Sequence, residues 1–272
     1  MQTSRTFFLP LLAALGLASL APVAHAFQLS PVVAAFEPTG PKSEQVYLLT
    51  NSSQKPAAIQ FDVTTRQQRS DGSETRQAAN NHFSVQPSQV VIPAGGTQKV
   101  KVKWQGGNVS REQAYRFIAK QVPVKLEQGG DISINVVMTM EGALYVKPGT
   151  GNSAPAASKG DDYTPTREEI AATEAAANQT STTPAMLQVQ DIRKQGQYLV
   201  ISVHNPAQEH IILNATRLQL KAGIKTLNLS GAQLGNLQGQ NLLGGATRHF
   251  QMPLPAGFDE RVQWQGQLAA GR

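Results

Sequence analysis

The sequence contains no cysteine, so no disulfide can support its fold. Hydrophobic burial must stabilise the chain instead, and 272 residues are enough for two domains of about 100 residues each. Only 6% of the residues are aromatic and no block of Lys or Arg stands out, so the net charge of +6 does not indicate a nucleic-acid partner. Beyond the N-terminal region no apolar run is long enough to cross a membrane, and we do not predict a membrane-embedded protein.

The N-terminal region has the pattern of a secretory signal peptide. Arg5 supplies a basic start, residues 7–21 are mostly apolar, and Ala24-His25-Ala26 fits the small-x-small cleavage pattern. We therefore predict that residues 1–26 are a signal peptide and that an exported chain starts near Phe27.

The rest of the chain is typical of an all-β protein with two immunoglobulin-like β-sandwich domains. Residues 27–148 contain roughly seven short strands separated by turn signals, and residues 186–272 return to strands after a break. Between them, residues 149–185 are rich in Gly, Ala, Ser, Thr and Asp, which predicts a long flexible linker. Inside this linker, Thr166 and Glu169 match a capping box that would begin a short, marginal helix.

Residues 131–147 are the most unusual stretch of the sequence. Apolar side chains alternate with mostly polar ones over 17 residues, which predicts a strand of roughly 55 Å with one apolar face. Strands usually run about 3–10 residues, so a row this long exceeds what a single small sandwich ordinarily covers. The strand is therefore either a long core strand or an uncovered sheet edge that pairs with another chain.

The residue types that carry catalysis are present but poorly arranged. No Gly-x-Ser-x-Gly elbow occurs, and the adjacent Asp161 and Asp162 lie in the linker, whereas catalysis requires rigid placement. His204 and His210 flank a turn, where surface or capping roles are favoured over a metal site. Lys99, Lys101 and Lys103 are interpreted as a charged solvent face rather than a ligand patch. We predict no enzyme activity, no cofactor and no metal.

Several stretches in order give the chain a resemblance to a known family, the periplasmic chaperones of the chaperone–usher pilus-assembly pathway. In the first domain these are residues 34–37 (AAFE), 46–51 (VYLLTN), 91–96 (VIPAGG), 112–123, which end in QVP, 132–140 and 144–148 (LYVKP). In the second domain they are residues 199–206 (LVISVHNP) and 248–255 (RHFQMPLP). No single stretch is decisive, but their order and spacing are specific.

The resemblance implies a mechanism for the long strand. Chaperones of this family lend their seventh strand to incomplete pilus subunits, which lack their own last strand, and deliver them to an outer-membrane usher. Carried over to this sequence, the donor positions are Ile132, Ile134, Val136 and Met138. The resemblance also implies a periplasmic location, and the donor strand offers a route to self-association when the chaperone is free.

The sequence departs from the family at the residues that grip the subunit. Typical members hold the subunit's terminal carboxylate with an Arg on the first strand and a Lys late in the seventh, and Val33 and Ala143 stand at those places here. Arg116 and Lys147 are the candidate substitutes, and Arg116 ranks first. Lys147 instead matches a basic residue that bridges the two domains.

By the same resemblance, Lys147 would form an interdomain ion-pair network with Glu112 and Asp259. Two other functions stay open. The first is an exported structural or adhesive β-sandwich protein, such as a surface subunit, whose long strand is simply core. The second is a carbohydrate-binding module, which the scarcity of aromatic residues disfavours.

Overall fold

A computed structural model describes residues 27–123, 137–149, 160, 162–178 and 187–270. The predicted signal peptide, residues 1–26, lies outside this described part of the chain. Within it, no helix is long and apolar enough to cross a membrane.

The N-terminal domain is a sandwich of two sheets. Its strands are β1 (Phe27–Ser30), β2 (Val33–Phe36), β3 (Glu44–Asn51), β4 (Ala57–Thr65), β5 (Gln67–Gln68), β6 (Glu74–Thr75), β7 (Phe83–Gln86), β8 (Gln89–Ile92), β9 (Thr97–Trp104), β10 (Gln113–Val122) and β11 (Thr139–Val146). One sheet has the order β1-β3-β9-β7 and the other β2-β11-β10-β4-β8, while β5 and β6 form a small separate hairpin. A short 3-10 helix, Pro41–Ser43, precedes β3.

Alternating side chains build the core between these sheets. In β4, for example, Ile59, Phe61 and Val63 are buried while the intervening residues are partly exposed. The ring of Phe117 on β10 stacks on Phe61 and contacts Tyr47 on β3, which joins the two sheets through aromatic packing. The immunoglobulin-like sandwich predicted from the strand spacing is confirmed.

The C-terminal domain is also built from strands. They are β12 (Leu187–Gln195), β13 (Tyr198–His204), β14 (Ile211–Ile212), β15 (Arg217–Ala222), β16 (Lys225–Ser230), β17 (Asn241–Leu242), β18 (Thr247–Pro253) and β19 (Gln265–Ala269), with a 3-10 helix at Gly231–Leu237. Six strands form one sheet in the order β16-β15-β19-β12-β13-β18, and β14 pairs with β17. Inward side chains from all six strands meet in one core. The prediction of two β domains is confirmed.

One helix, α1 (Arg167–Asn178), lies inside the segment predicted to be a linker. The predicted capping box forms, because the backbone N–H of Glu169 donates to Oγ1 of Thr166 and the N–H of Thr166 donates to the Glu169 carboxylate. The helix packs against β2, and Ala177 is fully buried. This part of the segment is therefore folded onto the N-terminal domain, because a small alanine allows close approach to the strand.

Candidate functional site

The alternating stretch ends in β11, which begins at Thr139. Three predicted donor residues, Ile132, Ile134 and Val136, lie outside the described residues. The fourth, Met138, is partly exposed, and its carbonyl oxygen accepts a hydrogen bond from the N–H of Gln121 at 2.9 Å. The antiparallel alignment with β10 therefore continues at least to Met138.

The two edges of β11 are covered differently. On one edge it pairs with β10 from Thr139 to Val146, and on the other it pairs in parallel with β2 only from Ala143 to Val146. Among the described strands, none pairs with the second edge over residues 139–142. We call this stretch the open edge. Its N–H and C=O groups can accept a further strand, as exposed sheet edges do.

The residues at the places of the missing cations form one row across the sheet. Ala143 is paired with Val33 on one side and with Arg116 on the other, so the three side chains lie on the same face. Val33 is buried and carries no charge. Arg116 is the cation that lies in this row.

Arg116 is already paired with the carboxylate of Glu74, which belongs to the same domain. Its Nη2 donates to Oε1 of Glu74 at 2.5 Å and its Nε donates to Oε2 at 3.1 Å. Arg66 donates to the same carboxylate at 2.6 Å, and Arg76 bridges Glu74 to Glu141. We call these five residues the arginine–glutamate cluster.

The electrostatics of this cluster favour an ionised carboxylate. Burial raises the pKa of Glu74, but hydrogen bonds and charge from Arg116 and Arg66 outweigh it and lower the pKa to about 2. Hydrogen bonds to Glu141 raise the pKa of Arg76. Three guanidinium groups face two carboxylates, so the cluster keeps a net positive charge suited to a further anion.

Glu112 and Lys147 both lie at the domain junction, beside residues of the C-terminal domain. The buried Glu112 accepts the backbone N–H of His210 at 2.9 Å, and its carboxylate lies 2.8 Å from the His210 Nδ1. Lys147 lies 3.7 Å from Glu209. Asp259, predicted as a third member, pairs with Arg261 in its own loop, and its interdomain role stays a prediction.

His210 differs most from the sequence interpretation. Surface or capping roles were favoured, yet its side chain is buried and stacks on Tyr145 of β11 with ring centroids 3.9 Å apart. The Tyr145 hydroxyl accepts hydrogen bonds from Arg66 and from Asn241 of the other domain. In the described chain, no group of His, Asp and Glu could hold a metal ion.

The hairpin of β5 and β6 supplies contacts that sequence reasoning missed. Gln68 donates to the carbonyl of Asn241 and accepts from the N–H of Leu243, and the carbonyl of Ser70 accepts from the N–H of His249. The hairpin thus reaches the C-terminal domain while its Glu74 reaches Arg116. The residues Ser70, Asp71, Gly72 and Ser73 are typical of a turn, but nothing in them indicates the partner.

Comparison with known proteins identifies the N-terminal domain. Residues 35–151 match the family model described as pili and flagellar-assembly chaperone, PapD N-terminal domain. A search of curated proteins gives no significant match. The resemblance predicted from the sequence is confirmed, and the matched family is one of chaperones, not of enzymes.

Solved structures similar to this chain come from several bacteria. One belongs to the CsuC–CsuE chaperone–tip adhesion subunit complex of Acinetobacter baumannii, with 18% identity, 89% of this chain and 98% of that chain covered, and a TM-score of 0.49. Another belongs to the complex of the Salmonella enterica SafA pilin with the SafB chaperone, with 18% identity, 86% of each chain covered and a TM-score of 0.45. A third is the E. coli chaperone DraB, with 17% identity, coverage of 88% and 89%, and a TM-score of 0.44.

Proposed function

We propose that this chain, whose residues 35–151 match the pili and flagellar-assembly chaperones, is a periplasmic chaperone that binds incomplete pilus subunits by lending them a strand. The family match is the observation that carries the proposal, and the open edge of β11 gives it a physical basis. The resemblance adds the later step, delivery to an outer-membrane usher. Catalysis and cofactors have no part in it.

The open edge can hold a subunit strand through its backbone. A strand added along residues 139–142, and continued along the alternating stretch before it, would gain main-chain hydrogen bonds regardless of its sequence. Ile132, Ile134, Val136 and Met138 would then fill pockets of the subunit, which supplies selectivity. The flexible side chain of Met138 suits subunits with differently shaped pockets.

Arg116 remains our first choice for the residue that binds a subunit's terminal carboxylate. It lies in the same row as Val33 and Ala143, on a face where the arginine–glutamate cluster carries excess positive charge. An incoming carboxylate would share the guanidinium with Glu74 or replace it. Lys147 is the second choice, because it already lies beside Glu209 at the domain junction.

The donor strand is tested by replacing both Ile134 and Val136 with Asn. Burial of each apolar side chain in a pocket contributes about 1.5–3 kcal/mol, so capture of a subunit should fall by several powers of ten. The melting temperature of the free protein should stay that of the parent. The matched control replaces Ser133 and Thr139 with Asn, since the alternation places both on the opposite face.

Two measurements on these variants separate the proposal from its rival. Recovery of a co-expressed, affinity-tagged incomplete subunit reports binding, and thermal unfolding reports stability. If the residues are ordinary core, their truncation should cost about 2–5 kcal/mol of stability per site. A collapsed melting temperature, with no subunit recovered even by the parent, would favour an exported structural β-sandwich protein.

A further inference from the structure

Helix α1 covers the sheet face next to the open edge. Its Ala177 packs in one buried cluster with Val33 of β2, Tyr145 of β11 and Leu243 of the C-terminal domain, and Ala143 packs against the same cluster. The helix thus lies over part of the row that contains Arg116. We call the surface formed by Val33, Ala143, Tyr145 and Leu243 the covered face.

A hydrogen bond fixes the helix where the open edge ends. Oε1 of Glu174 accepts the backbone N–H of Val32 at 2.7 Å, and the carbonyl of Val32 accepts the N–H of Ala143 at 2.9 Å. Val32 is therefore the point at which β2 begins to cover β11. A strand added along residues 139–142 would end beside this N–H, which a carboxylate already occupies.

The helix is held by few contacts. Of its 12 residues only Ala177 is buried, and Ile170, Thr173 and Glu174 are partly exposed on the same face. A helix of this length is marginal in water without packing partners, so it would lose its structure once it left the covered face. Weak attachment is the property expected of a segment that another chain displaces.

We infer that α1 is an internal competitor that occupies the covered face in the free chaperone and leaves it when the end of an incomplete pilus subunit binds along the open edge. This inference rests on the proposed function. Subunit and helix compete for the Val32 N–H and for the apolar surface around Ala143. Because only the fraction of molecules with the helix displaced can bind fully, the apparent affinity is reduced by that fraction.

Two substitutions one residue apart in α1 test the competition. Ala177→Glu places a charge on the buried position and should release the helix, whereas Ala176→Glu places the same charge on an exposed position and should not. Parent and variant, carrying different tags, are co-expressed with one incomplete pilus subunit, and the captured amounts are compared. Ala177→Glu should outcompete the parent about tenfold, while Ala176→Glu should capture an equal share.

Hydrogen exchange over residues 167–178 supplies the second readout. The helix amides should be protected in the free parent and exchange fast both in its subunit complex and in free Ala177→Glu. Equal capture by the parent and both variants, or continued protection in the complex, would overturn the inference and leave the proposed function intact. Weaker capture by Ala177→Glu would also overturn it, because the helix would then help to bind the subunit. If neither the parent nor either variant captures the subunit, the proposed function itself is wrong, and the inference that rests on it falls with it.

Discussion

Replacing Glu74 with Gln tests the arginine–glutamate cluster through its pH dependence. The change keeps the size of the side chain and removes the charge that Arg66, Arg76 and Arg116 share. A pKa lowered from 4.5 to about 2 corresponds to about 3 kcal/mol at ~1.36 kcal/mol per unit. Because the Glu74 side chain keeps 12% of its exposure and Arg76 keeps 32%, solvent screening reduces the expected loss to about 2 kcal/mol at pH 7.

The sign of the pH effect follows from the lowered pKa. A carboxylate with a lower pKa in the folded protein stabilises the fold above its unfolded pKa, and this contribution is lost as the pH falls from about 4.5 towards 2. The parent should therefore lose about 2 kcal/mol over that range relative to Glu74→Gln. The stabilities of the two proteins should converge at the acid end.

Urea denaturation followed by tryptophan fluorescence measures this difference. Trp104 and Trp264 lie in different domains, so a Trp264→Phe background makes the signal report the N-terminal domain alone. Lys42→Gln is the control, since Lys42 pairs with Glu37 on the surface of the same domain and should change stability by less than about 1 kcal/mol. Parallel pH profiles for the parent and Glu74→Gln would refute the assigned role of the cluster.

Two further predictions concern the connections between the domains. Glu112→Ala should destabilise the protein by about 3 kcal/mol and broaden its X-ray scattering profile, because it leaves the buried His210 unpaired. Asp259→Ala should change neither the stability nor the scattering profile. An equal effect of the two variants would instead assign Asp259 to the domain junction. The Gly-, Ala-, Ser- and Thr-rich composition of the linker predicts that limited proteolysis cuts first on either side of α1 and leaves two stable fragments. Cuts inside α1 of the free parent would contradict the packing of the helix, and a linker as resistant as the sandwiches would contradict the division into domains.

Most of the strands, and the start of the helix, could be predicted from local sequence patterns. The alternation in β4 and β10 follows from a half-buried sheet, so each strand could be predicted without knowing its neighbours. The capping box of α1 is equally local, since Thr166 and Glu169 are three residues apart. What the sequence left open was the surface on which the helix would lie, because five alanines in twelve residues give it no strong apolar face.

Long-range partners were beyond the reach of sequence reasoning. Glu74 is 42 residues from Arg116, and a two-residue strand gives no periodic signal that would aim its side chain. Glu112 and His210 are 98 residues apart, on different domains. Their pairing depends on how the sandwiches meet, which neither strand pattern contains.

Tyr145 connects three separate features of the structure. Its ring stacks on His210, its hydroxyl connects Arg66 to Asn241, and its side chain packs against the helix residue Ala177. A substitution of Tyr145 therefore changes three things at once: the packing between the domains, the hydrogen bond to Arg66 and the surface on which α1 packs. A single tyrosine thus couples the junction between the domains to the surface on which the helix lies, so neither can be altered through Tyr145 without the other.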